Sequence, residues 1–219
     1  MGTGNEENCK SPENDGGIAS NFVSVNQTKR RVTQIGNSVL LYLHDLVYLL
    51  AAILLLFLLF FRIVIVSGPS MNNTLVDGDY LLLLSSSLYG DPQQGDIVVA
   101  SKNAYKNGEP IVKRVIATEG QTVCIDFIAG TVSVDGEVLV EDYTLTATNL
   151  EEGTKFPLTV EPGCVFVMGD NRNQSLDSRS PEIGQIDTRE ILGKAIFLFL
   201  PGTNKGTAPR DFSRIGVLP

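Results

Sequence analysis

Two features of the sequence predict a mainly β domain behind a single N-terminal transmembrane helix. One is an apolar run, LVYLLAAILLLFLLFFRIVIV, Leu46 to Val66, whose only charge is Arg62. The other is the pattern after it, where short apolar or alternating segments are separated by turn signals. Their spacing suggests an all-β unit of about 150 residues, a size that can bury its own core.

The segment MGTGNEENCKSPENDGGIASN opens the chain and is rich in Gly, Asn, Ser and Glu, so residues 1–38 read as a disordered cytoplasmic tail. Residues 39–66 read as the anchor. The run from Leu46 is about 21 residues, roughly 31 Å as a helix, which matches a hydrocarbon core of about 30 Å. Arg62 lies close enough to its end for the long stem to carry the guanidinium to the headgroups. A cleaved signal peptide fits less well, because the run exceeds a signal h-region and a long polar segment precedes it. Lys29, Arg30 and Arg31 precede the span and no Lys or Arg follows it until Lys102. Positive flanks stay cytoplasmic, so the N-terminus is expected inside and the bulk of the chain outside.

Residues 67–219 form the expected extracytoplasmic domain. Its candidate strands are DYLLLL, GDIVVAS, PIVKRVIAT, QTVCIDFI, TVSVDGEVLV, CVFVMGD and ILGKAIFLFL. Asp135-Gly136 between alternating β-formers is a type I′ hairpin signal. Asn149 to Gly163 reads as a surface loop. All of the net charge of −8 falls after residue 66, and an acidic exterior argues against nucleic acid as a partner. Cys9 is expected inside, Cys124 and Cys164 outside. The latter two read as buried small side chains, with a disulfide between them left open. With no CxxC and one histidine, a zinc site is not expected.

That one histidine, His44, lies at the cytoplasmic edge of the span. No Ser-His-Asp triad or Cys-His dyad is therefore available to the outer domain, and a side-chain nucleophile there needs another base. Serine with lysine is one such pairing, provided the lysine is neutral at working pH. A free lysine titrates near ~10.4 and must be desolvated to serve. Lys113 meets that condition, since Ile111 and Val115 share its strand face at period two; a surface lysine at a strand edge is the bland alternative. Ser70, in VSGPSMNNTL, follows Pro69 and Gly68, a turn able to expose its hydroxyl and free its N–H as an oxyanion donor. Alone it reads equally as a turn serine. The segment MGDNRNQSLDSR holds Asp170, Arg172, Asp177 and Arg179, either a buried charge network or a solvated polar loop.

Taken together, SMNNTL, GDIVVA, KRVIATEGQTV and GDNRNQSLDSR resemble, in order, the boxes of the bacterial type I signal peptidases. The likeness runs over residues 66–200. It implies a mainly antiparallel β catalytic domain with an apolar surface resting on the membrane, and no metal or organic cofactor. By the same resemblance Ser70 is the nucleophile, Lys113 the general base, Ser175 the serine that orients the lysine, and Asp177 with Arg179 a supporting ion pair. Met71, Leu75, Val64, Val66 and Val112 would line a pocket for small residues. The chain departs from the family pattern at Asn73, where Pro is usual, at Pro69, at Asn173 and in ATEG after the lysine strand. Gly68 lacks the hydroxyl that some members add to the oxyanion hole, which leaves more of that role to the Ser70 N–H. The implied activity is a membrane-bound serine endopeptidase acting on signal peptides of secreted preproteins, in contact with membrane lipid. A self-cleaving Ser-Lys protease and a non-catalytic anchored β module are the alternatives. No oligomeric state is implied.

Overall fold

The computed structural model describes residue 1 and residues 39–102, 105, 108–206 and 209–219. The expected tail beyond Met1, with Cys9 and the Lys29-Arg30-Arg31 cluster, lies outside the described residues. The chain divides into two units, residues 1–55 and residues 56–219. Helix α1, Val39–Phe60, is the only helix among the described residues long and apolar enough to cross a membrane.

The expected helix is corrected at its far end. It stops at Phe60, and Phe61–Ile65 form strand β1 instead of continuing to Val66. The cause is local: Ile63, Val64 and Ile65 are β-branched, stiff at χ1 and better suited to a pleated surface. They pair antiparallel with β2, Tyr80–Ser85, in the register Ile63↔Leu82. Arg62 thus sits on a strand opposite Leu83.

The second unit is built from two antiparallel sheets. After β2 and the single-turn helix α2, Ser86–Tyr89, come β3, Ile97–Ala100, and β4, Ile111–Thr118. Strands β5, Thr122–Asp126, and β6, Thr131–Val134, follow, and then the short β7, Glu137–Val138, and β8, Leu158–Thr159. Strand β9, Cys164–Met168, leads to β10, Ile186–Asp187, β11, Ile191–Leu200, and β12, Gly216–Val217. Among the described residues the larger sheet runs β1-β2-β11-β3-β4-β9-β10, with β12 on β11, and the smaller runs β7-β6-β5-β8.

Each expected strand segment supplies a strand, and Asp135 and Gly136 both take the positive φ, 53° and 87°, of a type I′ turn. Three apolar clusters form the core. One, with Val66, Met71, Leu75, Leu83 and Ile97, lies beneath the chain around Ser70. The second packs Val98, Val115 and Val167, and the third joins β4 and β9 to the smaller sheet through Ile116, Phe166 and Val132.

Two expectations need correction here. The segment Asn149–Gly163 is not simply a surface loop: it contains β8, buries Val160, and its Thr154 N–H donates to the Arg179 carbonyl at 2.9 Å. Cys124 is exposed on β5, because alternation turns it away from the buried Val123 and Ile125. Cys124 and Cys164 are both free thiols.

Candidate active site

The segment after β1 closes into a compact loop. The Val66 N–H donates to the Asp79 carbonyl and the Gly78 N–H returns the bond to Val66, both at 2.9 Å. The Asp79 carboxylate is fully buried and ties the loop down by accepting from the Val76 N–H, the Gly202 N–H and Arg214. Gly68 holds φ at 90°, a conformation that favours glycine, and its N–H donates to Asp77 Oδ1 at 2.7 Å. A single helical turn follows, closed by the Leu75 N–H on the Met71 carbonyl at 2.8 Å. Ser70 stands at its start, half-buried, and among the described residues its N–H has no acceptor. Asn73 adopts φ 94°, which a proline ring forbids; the usual family residue does not fit the turn as it is formed here.

Strand β4 brings the lysine to this loop. Lys113 pairs with Val98 of β3, is only 4% exposed, and holds its Nζ 2.8 Å from Ser70 Oγ. Its second hydrogen-bond partner is the Val112 carbonyl at 3.1 Å. Burial, the largest influence, lowers the ammonium from 10.5 to about 8, against the opposing pull of Asp177, Glu152 and Asp170. The two residues singled out from the sequence as nucleophile and base therefore meet at hydrogen-bond distance.

Alternation along β4 sends the next side chain to the other face. Arg114 forks onto Asp170 with Nε–Oδ1 at 2.8 Å and Nη2–Oδ2 at 2.7 Å, and its guanidinium lies 4.0 Å over the Tyr143 ring. Thr74 donates to the same carboxylate at 2.5 Å, so one buried ion pair joins the Ser70 loop, the lysine strand and the segment after β9. The Asn171 N–H adds a bond to the Ser70 carbonyl at 3.0 Å, and its side chain one to Pro69 at 3.1 Å.

Asp177 is the acceptor around which the third box folds. It is fully buried and takes Arg179 Nε and Nη2, each at 2.8 Å, together with the Gly169 N–H at 2.9 Å. Ser175 Oγ donates to it at 2.8 Å. That differs from the role the resemblance implies: Ser175 is bonded to Asp177 and not to Lys113. Gly169 is packed so tightly that an added Cβ would stand 2.2 Å from Ser175 Oγ and 2.5 Å from the Ser70 carbonyl oxygen. The polar residues of the box do not pair with one another throughout: Asp170 takes Arg114, Asp177 takes Arg179, and Arg172 forks onto Glu141.

A cleft of about 350 Å³ opens beside the Ser70 hydroxyl. Val64 and Val66 flank it on one side, Val112 on the other, with Leu176 and Tyr105 completing the wall. Met71 and Leu75, expected as pocket residues, are buried in the core beneath at 1% and 0% exposure and do not reach the cleft. Among the described residues no group of three or more His, Cys, Asp or Glu is placed to hold a metal ion.

Arg114, Thr74, Gly169 and Glu152 are the site residues that sequence reasoning missed. For Arg114 a signal existed, since an arginine inside an apolar strand requires a carboxylate from another segment. For Gly169 and Glu152 there was none, because their positions depend on contacts distant in sequence.

A family model described as signal peptidase, peptidase S26, matches residues 40–200. A probable signal peptidase I-1 from Synechocystis sp. is 38% identical over 144 residues, covering 63% of this chain and 70% of that protein. Signal peptidase I of Bacillus amyloliquefaciens is 36% identical over 147 residues, with 63% and 72% covered. Signal peptidase I of Bacillus licheniformis is 32% identical over 185 residues, with 80% and 95% covered.

Proposed function

The chain belongs to the signal peptidase family, peptidase S26, whose members are serine endopeptidases, and on that premise we propose that it removes signal peptides from secreted preproteins with Ser70 as nucleophile and Lys113 as general base. The observation that carries this reading is the 2.8 Å contact between Ser70 Oγ and the Nζ of a lysine that is only 4% exposed. With its ammonium lowered to about 8, a usable fraction of Lys113 is neutral near neutral pH.

Neutral Lys113 accepts the hydroxyl proton as Ser70 Oγ attacks the scissile carbonyl. The Ser70 N–H, which has no acceptor among the described residues, points to the donor for the oxyanion. Lys113 then returns its proton to the leaving amine, and water hydrolyses the acyl-enzyme by the same route reversed. The Gly68 N–H is committed to Asp77, which leaves the Ser70 donor the larger share of that task.

Strand β1 lies at the edge of its sheet, so an extended substrate can add to it by backbone hydrogen bonds. The cleft between residues 64–66 and residues 111–113 would hold the segment before the cut, and the small space beside Val64, Val66 and Val112 favours small side chains there. Among the described residues one helix, Val39–Phe60, is long and apolar enough to cross a membrane, which supports a membrane-anchored protein. The cluster of Lys29, Arg30 and Arg31 before that helix supports a cytoplasmic N-terminus, a catalytic domain outside the cell membrane, and residues 67–219 as that domain. A preprotein anchored by the apolar core of its own signal peptide then presents its cleavage site on the same side, near the lipid surface.

The test is cleavage of a preprotein by Ser70→Ala and Lys113→Ala variants of the full-length protein in detergent. Both are expected to be inactive, and processing retained by either one refutes the dyad.

A further inference from the structure

The charge balance behind the dyad is uneven. Arg179 is forked onto Asp177, and a second carboxylate, Glu152, reaches the same guanidinium, with Oε1 3.3 Å from Nη2. Two carboxylates, the buried Asp177 and the largely buried Glu152, share one guanidinium. The Glu152 side chain is 10% exposed, and its Oε2 is buried with no hydrogen-bond partner. The loop that carries it is fastened to the third box by the Thr154 N–H on the Arg179 carbonyl at 2.9 Å and by Thr154 Oγ1 on the Ser178 carbonyl at 3.2 Å. Glu152 is thus a fixed part of the site and not a surface charge that has folded inward.

Resting on the Ser70–Lys113 reading, we propose that Glu152 is a positioning residue for the reaction: it supplies the uncompensated negative charge that Lys113 neutralises on taking the Ser70 proton. With Lys113 neutral, Asp177, Glu152 and Arg179 together carry a net charge of −1. When the proton passes from Ser70 Oγ to Lys113 Nζ, that charge is balanced without any group having to move. A cluster whose charge is complementary to the protonated lysine stabilises the transition state more than the resting state, which is the requirement for catalysis.

The groups that face Lys113 are Asp177, Glu152, Arg179 and Asp170, and those that face Glu152 are Asp177, Arg179 and Lys113. Burial and the adjacent Asp177 carboxylate raise the Glu152 carboxyl to about 6, while Arg179 and Lys113 oppose the rise. Above that value Glu152 is ionised and holds the Lys113 proton more tightly; below it, Glu152 carries a proton itself. The two residues therefore titrate as a coupled pair.

The test is the pH dependence of kcat/KM for the full-length native protein and the Glu152→Gln variant on one preprotein substrate. The native acid limb is expected near pH 8. In the variant it should move to lower pH by about one to two units, the size of a charge effect over roughly 6–12 Å at an effective dielectric near 20. A limb unmoved in the variant, whether activity falls or stays the same, overturns the proposal, because loss of a purely structural contact lowers activity without moving the limb. Absence of any such limb in the native protein overturns the dyad reading instead, and this proposal with it. Should Glu152→Gln fail to fold, the linkage is read from the other side, by following the Glu152 carboxyl carbon with 13C NMR in the native protein and in Lys113→Met. Its midpoint should rise in the variant, and identical midpoints overturn the proposal.

Discussion

Exchange of Lys113 for methionine is expected to abolish cleavage and yet to stabilise the protein at neutral pH. Lys113 is 4% exposed, and burial takes its ammonium from 10.5 to about 8. Below pH 8 the lysine is protonated in both the folded and the unfolded chain, and the folded state carries the whole cost of holding that charge out of water. A fall of about 2.5 in pKa corresponds to roughly 3 kcal/mol. As pH rises from 8 towards 10.5 the unfolded chain still binds the proton while the folded chain has released it, so this cost fades. Methionine has similar reach and no charge. It forgoes the hydrogen bonds from Nζ to Ser70 Oγ and the Val112 carbonyl, which offset the gain by about 1 kcal/mol each. The expected net gain at pH 7 is about 1–3 kcal/mol, and it should vanish or reverse by pH 10.5. Denaturant unfolding of the two full-length proteins in the same detergent, at pH 7 and pH 10.5, measures it. A variant less stable than native at pH 7, or a difference that is the same at both pH values, refutes the account of a lysine whose ammonium is destabilised by burial.

Gly169→Ala places a Cβ 2.2 Å from Ser175 Oγ and 2.5 Å from the Ser70 carbonyl oxygen, so the nucleophile loop must shift. A displacement of that order is expected to lower kcat by about 10²-fold and to cost about 1–3 kcal/mol of stability; near-native kinetics would count against the packing described. At Asn73, φ is 94°, so Asn73→Gly should raise stability by about 1 kcal/mol, whereas Asn73→Pro, the usual family residue, should lower both stability and activity. Unfolding midpoints decide this, and a proline variant as stable as the native chain would show that the turn is not formed as described.

The strands were legible because each carries its own signal. TVSVDGEVLV alternates with period two about a dipeptide that tolerates positive φ, and ILGKAIFLFL is a long apolar run that became β11 residue for residue. The short β8, β10 and β12 had no such signal, since two residues bear no periodicity and exist as strands only because a neighbour offers a free edge. The helix boundary was legible to within a few residues. Phe61–Ile65 is as apolar as the run before it, and only its pairing with β2 separates it from the helix. The pairing of Asp177 with Arg179 was implied by the family resemblance, and the fold forms it. Ser175, by contrast, has an acceptor that only the folded geometry selects.

The sequence by itself determined which residues have the chemistry: an anchor of membrane length, no histidine beyond His44, a serine in a Gly-Pro turn and a lysine in an apolar strand. These follow from residue type and local periodicity, which travel with the chain whether or not it is folded. Tertiary structure alone decided what surrounds them. The 2.8 Å approach of Ser70 and Lys113, the withdrawal of Met71 and Leu75 into the core, and the placing of Glu152 against Arg179 all bring together segments far apart in sequence. Their energies depend on burial and on the sum of nearby charges, and neither quantity is defined until the chain has closed around the site.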